Sequence, residues 1–278
     1  MCGISGIFFF KGNNKVKKKN LVKMNKLLEH RGPDGNGSWI SSNKKVGFGH
    51  TRLSILDLTS SANQPFVDNT KNYVITFNGE IYNFKEIKKV LLKKGYSFRT
   101  KNSDTEVLLL SYIEWGLKCV EKFRGMFAFA IWDNIKKKVF LVRDRVGIKP
   151  LYYKIDSEKL IFSSEIKAIL LDSDYIPKID EESMYHYLTF LCTPAPKTMF
   201  KDINKLEAGT WLSIDENGKN EKEQYWDPLE EKELIDIDNI NKVLTKTLKE
   251  SIKYRGISDV DVGVFLSGGI DSSTNAYF

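Results

Sequence analysis

The chain has 278 residues, of which 28% are charged and 41% hydrophobic, and its formal net charge is +7. This composition is typical of a globular protein and excludes a disordered one. No apolar run reaches the ~20 residues that a membrane-spanning helix needs. Three cysteines and three histidines are too few and too scattered to predict a disulfide framework or a structural zinc site.

The opening "MCGISGIFFF" has no basic leader, so we expect no signal peptide and a cytoplasmic location. The lysines lie in short groups, such as those at 15–19 and 136–138. They form no stripe with interleaved aromatic residues, which favours a solvated surface over a nucleic-acid-binding face. We therefore expect neither nucleic acid nor membrane among the partners.

The predicted elements alternate between helices and a long series of strands. Apolar residues at helical spacing predict a helix that ends before the turn-rich "HRGPDGNG" (30–37), and "YVITF" (73–77) is typical of a strand. A capping box of Ser103 and Glu106 predicts the start of another helix. Four closely spaced strands follow from about residue 125. The pattern predicts an α+β domain of layered sheets and helices over residues 2–227.

Beyond this domain, the acidic stretch 228–239 lacks periodic hydrophobic residues and is predicted to be a linker. The segment 240–278 then begins with an amphipathic helix, and residues 261–266 are typical of a strand before a glycine turn. Such a strand would have no parallel neighbour in this chain. We therefore expect residues 240–278 to be loosely held or to pack on the first domain.

Cys2 directly follows the initiator methionine. Removal of Met1 would give one residue both a thiol and a free α-amine, whose ordinary pKa of ~7.7–8.0 suits a base for that thiol. The alternative is that Cys2 is a small apolar residue at the start of a strand, and its position alone favours this alternative.

Further motifs accompany Cys2 in a fixed order. They are "MCGISGIF", "HRGPDG", "HTRLSILD", "FNGEIYN", "SDTEV", "GMFAFAIWD", "RDRVGIKPLYY" and "SSEIKAI". This series resembles the class II glutamine amidotransferase domains, and the closing "SGGIDSS" (267–273) is similar to the loop of ATP-pyrophosphatases. Together they resemble the glutamine-hydrolysing asparagine synthetases of the bacterial B type, truncated at the C-terminus. The resemblance implies an α+β N-terminal-nucleophile (Ntn) fold, a four-layer αββα glutaminase domain followed by an incomplete α/β ATP-pyrophosphatase domain.

The resemblance also implies roles for individual residues. Cys2 would attack the side-chain amide of glutamine, and the Asn78 side chain with the Gly79 backbone N–H would stabilise the oxyanion. One such donor is typically worth about 10²–10³ in rate. Taken alone, the Asn78–Gly79 dipeptide favours a hairpin turn, and the oxyanion hole is favoured once Cys2 and "EIYN" are counted. The residues implied to bind glutamine are Arg52, Leu53, Ile55, Asn78, Gly79, Glu80 and Asp104.

Within that set, the resemblance implies that Arg52 binds the α-carboxylate. A guanidinium fork is suited to that planar anion. A surface ion pair with Asp57 is the alternative. Glu80 and Asp104 match positions that receive the α-ammonium, although an acid in the first turn of a helix is also favourable by itself. Backbone groups of Leu53 and Ile55 would complete the pocket.

At the end of the chain, small residues between a strand and a helix would let backbone N–H groups approach an anion. The residues implied to bind ATP or its pyrophosphate are Leu266, Ser267, Gly268, Gly269, Asp271 and Ser272, with Asp271 organising Mg²⁺. ATP and Mg²⁺ would serve the full family reaction, and glutamine hydrolysis would need no cofactor.

The resemblance implies glutamine as a substrate, and ATP and aspartate for the full reaction, in which glutamine nitrogen amidates aspartate to asparagine. We expect this chain to be competent for glutamine hydrolysis alone. Two alternatives stay open. The acceptor could be another carboxylate such as a sugar acid, or the chain could be a non-catalytic or regulatory fragment. A homodimer and a separate synthetase chain are both compatible with the sequence.

Overall fold

The computed structural model describes residues 1–230 and 239–278. Within them the chain forms twelve strands and eight α-helices. The strands are β1 (Gly3–Phe9), β2 (Gly35–Ile40), β3 (Val46–Arg52), β4 (Phe66–Val67), β5 (Tyr73–Ile81), β6 (Gly125–Asp133), β7 (Lys138–Arg143), β8 (Tyr152–Ile155), β9 (Lys159–Ser163), β10 (Asn204–Lys205), β11 (Thr210–Asp215) and β12 (Asn220–Gln224). The helices are α1 (Lys18–Leu28), α2 (Phe84–Lys93), α3 (Asp104–Trp115), α4 (Cys119–Lys122), α5 (Ile166–Ile169), α6 (Glu181–Phe190), α7 (Ile240–Arg255) and α8 (Ile270–Tyr277).

The strands form two six-stranded antiparallel sheets. The first has the order β10-β8-β9-β1-β3-β2, and the second has the order β12-β11-β7-β6-β5-β4. β1 lies near the middle of the first sheet, paired with β3 through Gly3↔Thr51 and with β9 through Ser5↔Ser163. β5 pairs with β6 along its whole length in the second sheet. The start of the chain and the middle of β5 are thus both held by neighbours on two sides.

The two sheets pack face to face, and helices cover their outer surfaces. Ile4 and Phe48 of the first sheet meet Ala128 and Leu141 of the second in one buried cluster. A second cluster joins α1 to the outer face of the first sheet. A third joins α2 and α3 to the outer face of the second sheet. These four layers confirm the predicted αββα arrangement.

β6 shows why the sequence adopts this arrangement. From Phe127 to Ile131 every residue is fully buried. The phenylalanines at 127 and 129 point to the helices, whereas the alanines at 128 and 130 point to the other sheet. A strand buried on both faces carries a continuous apolar run rather than an alternating pattern. The small alanines let the two sheets approach each other closely.

The predicted capping box at the start of α3 is wrong, although the helix begins where expected. The Ser103 side chain makes no capping hydrogen bond. The Glu106 carboxylate instead accepts the backbone N–H groups of Arg99 and Thr100, at 2.9 and 2.8 Å. The preceding loop therefore competes successfully for this carboxylate, because its own buried N–H groups need an acceptor.

The segment beyond residue 239 differs from the prediction in one respect. The amphipathic helix is confirmed as α7, but residues 261–266 form no strand. No neighbouring strand lies beside them among the described residues, so their backbone groups have no ladder to join. No residue of 239–278 is buried, and the loose attachment of this segment stays a prediction. Of the predicted linker 228–239, residues 231–238 lie outside the described residues.

Candidate active site

Cys2 is fixed at the start of β1 by contacts on both sides. The Arg31 Nε donates to the main-chain oxygen of Cys2 at 3.0 Å, and its Nη1 contacts the Glu165 carboxylate at 3.0 Å. A Cβ at Gly3 would lie 2.5 Å from Thr51 Oγ1. Only glycine therefore lets β1 pass so close to β3, and the chain start is held in one position.

The Cys2 thiol lies against the main chain of Leu53, just after β3. The Leu53 N–H donates to Sγ at 3.4 Å, and Sγ lies 3.6 Å from the Leu53 oxygen. Burial raises the pKa of the thiol, and the Leu53 hydrogen bond only partly offsets this effect. The thiol therefore stays protonated near neutral pH, and it needs a base in order to act as a nucleophile.

The only free α-amine of the described chain belongs to Met1, whose pKa burial lowers below its ordinary value. An amine with a lowered pKa is unprotonated over more of the neutral range. Removal of Met1 would leave the corresponding amine on Cys2 itself, next to the thiol.

A cleft open to solvent begins at Cys2. Its walls come from β1, the loop after β3, β5 and the start of α3. The lining residues are Cys2, Arg52, Leu53, Ile55, Leu56, Ala62, Gln64, Phe77, Gly79, Glu80, Ser103, Asp104 and Thr105. The structure thus brings together Cys2 and every residue that the sequence implied for glutamine binding except Asn78, which lines the adjoining cavity with Cys2 and Gly79.

Asn78 and Gly79 lie within β5, so they are not a hairpin turn. Asn78 pairs with Ala128, and Gly79 pairs with Phe127. The Asn78 side chain is buried, and its Nδ2 has no hydrogen-bond partner among the described residues. A buried donor without a partner costs about 1–3 kcal/mol. Such a donor, in a cavity beside a nucleophile, is free to donate a hydrogen bond to an oxygen of a bound substrate.

Gly79 is required at its position for a steric reason. A Cβ there would lie 2.2 Å from the Met126 oxygen and 2.7 Å from the Phe127 Cα. Both atoms belong to the backbone of β6, which cannot move away without breaking the ladder. Glycine therefore keeps the β5 backbone flush with β6 and leaves its own N–H at the wall of the cleft.

Arg52 does not form the surface ion pair with Asp57 that the sequence left open. Its guanidinium is buried and holds the following loop through main-chain and amide oxygens. Nη1 donates to Thr59 O at 2.9 Å and to Asn63 Oδ1 at 2.8 Å, and Nη2 donates to the oxygens of Leu56 and Asp57. Nε makes no hydrogen bond to a described residue. A substrate carboxylate would therefore meet an arginine that already supports the loop.

Glu80 and Asp104 form an acidic pair at the far wall of the cleft. Asp104 is the first residue of α3 and accepts the Ile81 N–H at 2.9 Å. Burial raises the pKa of both carboxyls, and the charge of Asp104 raises that of Glu80 further, against the opposing effect of Lys149. Two neighbouring desolvated carboxyls favour a state in which at least one of them is protonated. A substrate ammonium would take the place of that proton.

Comparison with known proteins decides the family. A family model described as glutamine amidotransferase domain matches residues 1–226. The chain belongs to the glutamine amidotransferase family. A second model, described as asparagine synthase, matches residues 243–277. The resemblance drawn from the motifs is therefore confirmed.

Several curated relatives of this glutamine amidotransferase match nearly its whole length. A putative asparagine synthetase (glutamine-hydrolyzing) 2 of Methanocaldococcus jannaschii is 40% identical over 99% of this chain and 56% of its own. Asparagine synthetase (glutamine-hydrolyzing) 1 of Bacillus subtilis is 38% identical over 98% of this chain and 43% of its own. Amidase chry2 of Gibberella zeae is 35% identical over 99% of this chain and 42% of its own. The chain spans about half the length of these relatives.

Two solved structures share the fold of this amidotransferase. The glutamine phosphoribosylpyrophosphate amidotransferase of B. subtilis has a TM-score of 0.58 at 20% identity, covering 81% of this chain and 49% of its own. The allosteric regulatory enzyme of purine biosynthesis has a TM-score of 0.59 at 18% identity, and the match covers 99% of this chain and 63% of its own. The predicted Ntn amidotransferase fold is confirmed.

Sequence reasoning missed two residues that hold the site of this amidotransferase together. Gln64 accepts the Phe77 N–H at 2.6 Å and donates to Thr105 Oγ1 at 3.1 Å, thereby joining β5 to α3. His50 is buried and its Nε2 lies 3.1 Å from the Phe77 oxygen. Burial lowers the pKa of His50 to about 3, so the ring stays neutral. Both contacts span distant parts of the chain, and no local pattern indicates them.

The second candidate site lies at the start of α8. Gly268 has φ +81°, and a Cβ added to it would meet no atom within 4 Å. The Ser267 and Ser272 hydroxyls lie 3.0 Å apart, and Asp271 is in the first turn. These small residues fit a phosphate group. Leu266 and the loop are exposed, however, and no described residue encloses a nucleotide base beside them. ATP binding by these residues stays a prediction.

Proposed function

We propose that this chain hydrolyses the side-chain amide of glutamine with Cys2 as the nucleophile. The observation that carries the proposal is the pair of adjoining cavities that meet at the Cys2 thiol: the acidic pair Glu80 and Asp104 lines the cleft, and the buried Asn78 amide, whose Nδ2 has no partner among the described residues, lines the cavity next to it. An electrophilic carbonyl with an ammonium at its other end would satisfy all three groups. The γ-amide and α-ammonium of glutamine have this combination.

The reaction would begin once Met1 has been removed. The free α-amine of Cys2 takes the thiol proton as Sγ attacks the amide carbon, because the raised pKa of the thiol leaves little thiolate beforehand. The carbon–oxygen π electrons move to the oxygen, which the Asn78 Nδ2 and the Gly79 N–H then stabilise. The Leu53 N–H next to Sγ favours the developing thiolate.

Collapse of the tetrahedral intermediate breaks the carbon–nitrogen bond. The Cys2 ammonium returns the proton to the leaving nitrogen, so ammonia departs and a γ-glutamyl thioester remains. Water then attacks the thioester with the same amine as the base, and glutamate leaves with the thiol regenerated. The net change is glutamine plus water to glutamate plus ammonia, and no cofactor takes part.

The ends of the substrate would be held by the residues at the walls of the cleft. Glu80 and Asp104 receive the α-ammonium, and the pair ionises when this cation replaces its proton. Arg52 supplies positive charge for the α-carboxylate, with Nε as its uncommitted donor. The main chain of Leu53 and Ile55 completes the wall beside Cys2. Bound in this way, the γ-amide is the part of the substrate that points to the thiol.

For the longer protein that this chain resembles, we propose glutamine-dependent asparagine synthesis in the cytoplasm. Residues 2–227 would be the glutaminase domain, 228–239 the linker, and 240–278 the start of the synthetase domain. ATP, when bound with Mg²⁺, activates an acceptor carboxylate. Ser267, Gly268, Gly269, Asp271 and Ser272 would contact its phosphates. Aspartate is the proposed acceptor, and another carboxylate such as a sugar acid is the second candidate.

An ammonia-release assay with purified protein tests the glutaminase proposal. We expect the wild type to release ammonia from glutamine and the Cys2→Ala variant to release none. Cys192→Ala is the matched control, because Cys192 is an exposed free thiol away from the cleft. Equal rates in wild type and Cys2→Ala would refute the proposal. No release by a wild type that has lost Met1 would indicate a non-catalytic fragment.

A further inference from the structure

The segment after α7 contacts the loop that forms one wall of the glutamine cleft. The Asp259 N–H donates to the Ile55 oxygen at 3.0 Å, and the Asp259 carboxylate accepts the Asp57 N–H at 2.8 Å. Ile257, two residues earlier, packs on the apolar cluster between the second sheet and its helices. We define this loop as residues 53–57. Asp259, more than two hundred positions away in the chain, thus hydrogen-bonds to two of its residues, Ile55 and Asp57.

The loop 53–57 connects three parts of the site. Its first residue, Leu53, contacts the Cys2 thiol through both its N–H and its oxygen. Its last residue, Asp57, accepts the Asn102 N–H at 3.2 Å, just before the α3 start that carries Asp104. The oxygen of Asp57 also accepts a hydrogen bond from Arg52. A shift of this loop would therefore move groups around the nucleophile and both ends of the substrate.

The loop conformation needs this external support. Asp57 has φ +48°, in the left-handed region that costs a non-glycine residue of the order of 1–3 kcal/mol and persists only where surrounding contacts determine it. The Asp57 carboxylate accepts hydrogen bonds from Thr59 and Asn102, and the Asp57 main-chain oxygen accepts one from Arg52. Its N–H is satisfied by Asp259.

We propose that Asp259 is a positioning residue for the glutamine cleft, because it fixes the loop 53–57 through the paired hydrogen bonds to Ile55 and Asp57. This inference rests on the proposed glutaminase function. It means that a residue beyond the linker, within the part of the chain that matches the asparagine synthase family, completes the glutaminase site. Detachment of this segment would weaken glutamine binding without any change in the residues that touch the substrate.

Three variants of the full chain separate the hydrogen bond from the charge and from general stability. Asp259→Ala removes the acceptor for the Asp57 N–H, whereas Asp259→Asn keeps an amide oxygen there. Glu250→Ala is the control, because Glu250 of α7 has an exposed carboxylate that lines neither the cleft nor the adjoining cavity and makes no hydrogen bond to a described residue.

We expect Asp259→Ala to raise the KM for glutamine about tenfold, as for a lost hydrogen bond to a charged group, and to lower kcat. Asp259→Asn and Glu250→Ala should stay within about twofold of wild type. The thermal unfolding temperature should be unchanged, because Asp259 lies in an exposed segment. Wild-type KM and kcat in Asp259→Ala would overturn the inference, and so would an Asn variant as impaired as the Ala variant.

Amide hydrogen exchange gives a second measurement that does not depend on turnover. We expect the N–H groups of residues 55–59 to exchange faster in Asp259→Ala than in wild type, and at the wild-type rate in Glu250→Ala. Unchanged exchange would overturn the inference even if the enzyme is active. An inactive wild type with this exchange difference would refute the proposed function and leave the support by Asp259 intact.

Discussion

The side chain of Asn78 offers a prediction in which activity and stability change in different ways. Its Nδ2 is buried and has no partner among the described residues, so the Asn78→Ala substitution breaks no hydrogen bond of the folded chain. If this donor is reserved for the oxyanion, its loss should lower kcat by about 10²–10³, which corresponds to ~2.7–4 kcal/mol of transition-state stabilisation. The KM for glutamine should change little, because the ground-state carbonyl gains less from the donor.

The folding free energy should respond much less. Removing an unsatisfied buried donor relieves about 1–3 kcal/mol, which offsets the packing lost with the amide group. At about 2–4 °C per kcal/mol for a domain of this size, we expect the thermal unfolding temperature to fall by no more than a few degrees. The enzyme would thus lose most of its rate while remaining folded.

Asn25→Ala is the matched control for this prediction. Asn25 is also fully buried, but its Nδ2 donates to Asn36 and Gly37 at 2.8 Å, and its Oδ1 accepts from Ser5 at 3.1 Å. Its replacement should lower stability by several kcal/mol, at about 1 kcal/mol or more for each bond. Calorimetry and steady-state ammonia release on both variants test the reasoning. A wild-type kcat in Asn78→Ala, or a loss of stability equal to that of Asn25→Ala, would refute it.

Three further predictions concern the walls of the cleft. Asp104→Asn should raise the KM for glutamine by about 30-fold or more, because truncating one partner of a buried charge pair costs about 2–5 kcal/mol, and a KM within threefold of wild type would contradict this. Because the carboxyls of Glu80 and Asp104 have raised pKa values, the wild-type KM should fall as the pH rises through their titration and glutamine binds to the ionised pair. A KM that rises over this range would contradict the assignment. Gly79→Ala should lower the free energy of unfolding by about 1–3 kcal/mol through overpacking, since its Cβ would meet the backbone of Met126. Calorimetry measures this change. Gly263→Ala is the control, because a Cβ at Gly263 would meet no atom within 4 Å.

The sequence predicted the layers of the fold because their signals are local. The apolar run of β6 and the helical spacing of α1 are visible within ten residues. Cys2 differs from these elements, because its position alone favoured a small residue at the start of a strand and only the accompanying motifs implied a nucleophile. Where a prediction depended on competition between partners, it failed. Ser103 and Glu106 have the pattern of a capping box, but the buried N–H groups of Arg99 and Thr100 take the Glu106 carboxylate.

Long-range contacts were the other limit. A single sequence does not reveal that Asp259 meets Ile55 and Asp57, since these residues share no motif and lie far apart. The predicted strand at 261–266 failed for a related reason, because a strand is stable only beside a partner. The Asn78–Gly79 pair was ambiguous until β5 was seen to continue through it. The strand excludes the hairpin turn that local propensity favoured, and the oxyanion role that the motif resemblance implied stays a prediction.

The measurement that tests the central claim most directly is mass spectrometry of acid-quenched protein during turnover of glutamine. The account predicts an N-terminal peptide that begins at Cys2 and carries one glutamyl group as a hydroxylamine-sensitive thioester. Ammonia release by a chain that retains Met1, or by a chain whose Cys2 remains unmodified throughout turnover, would contradict it.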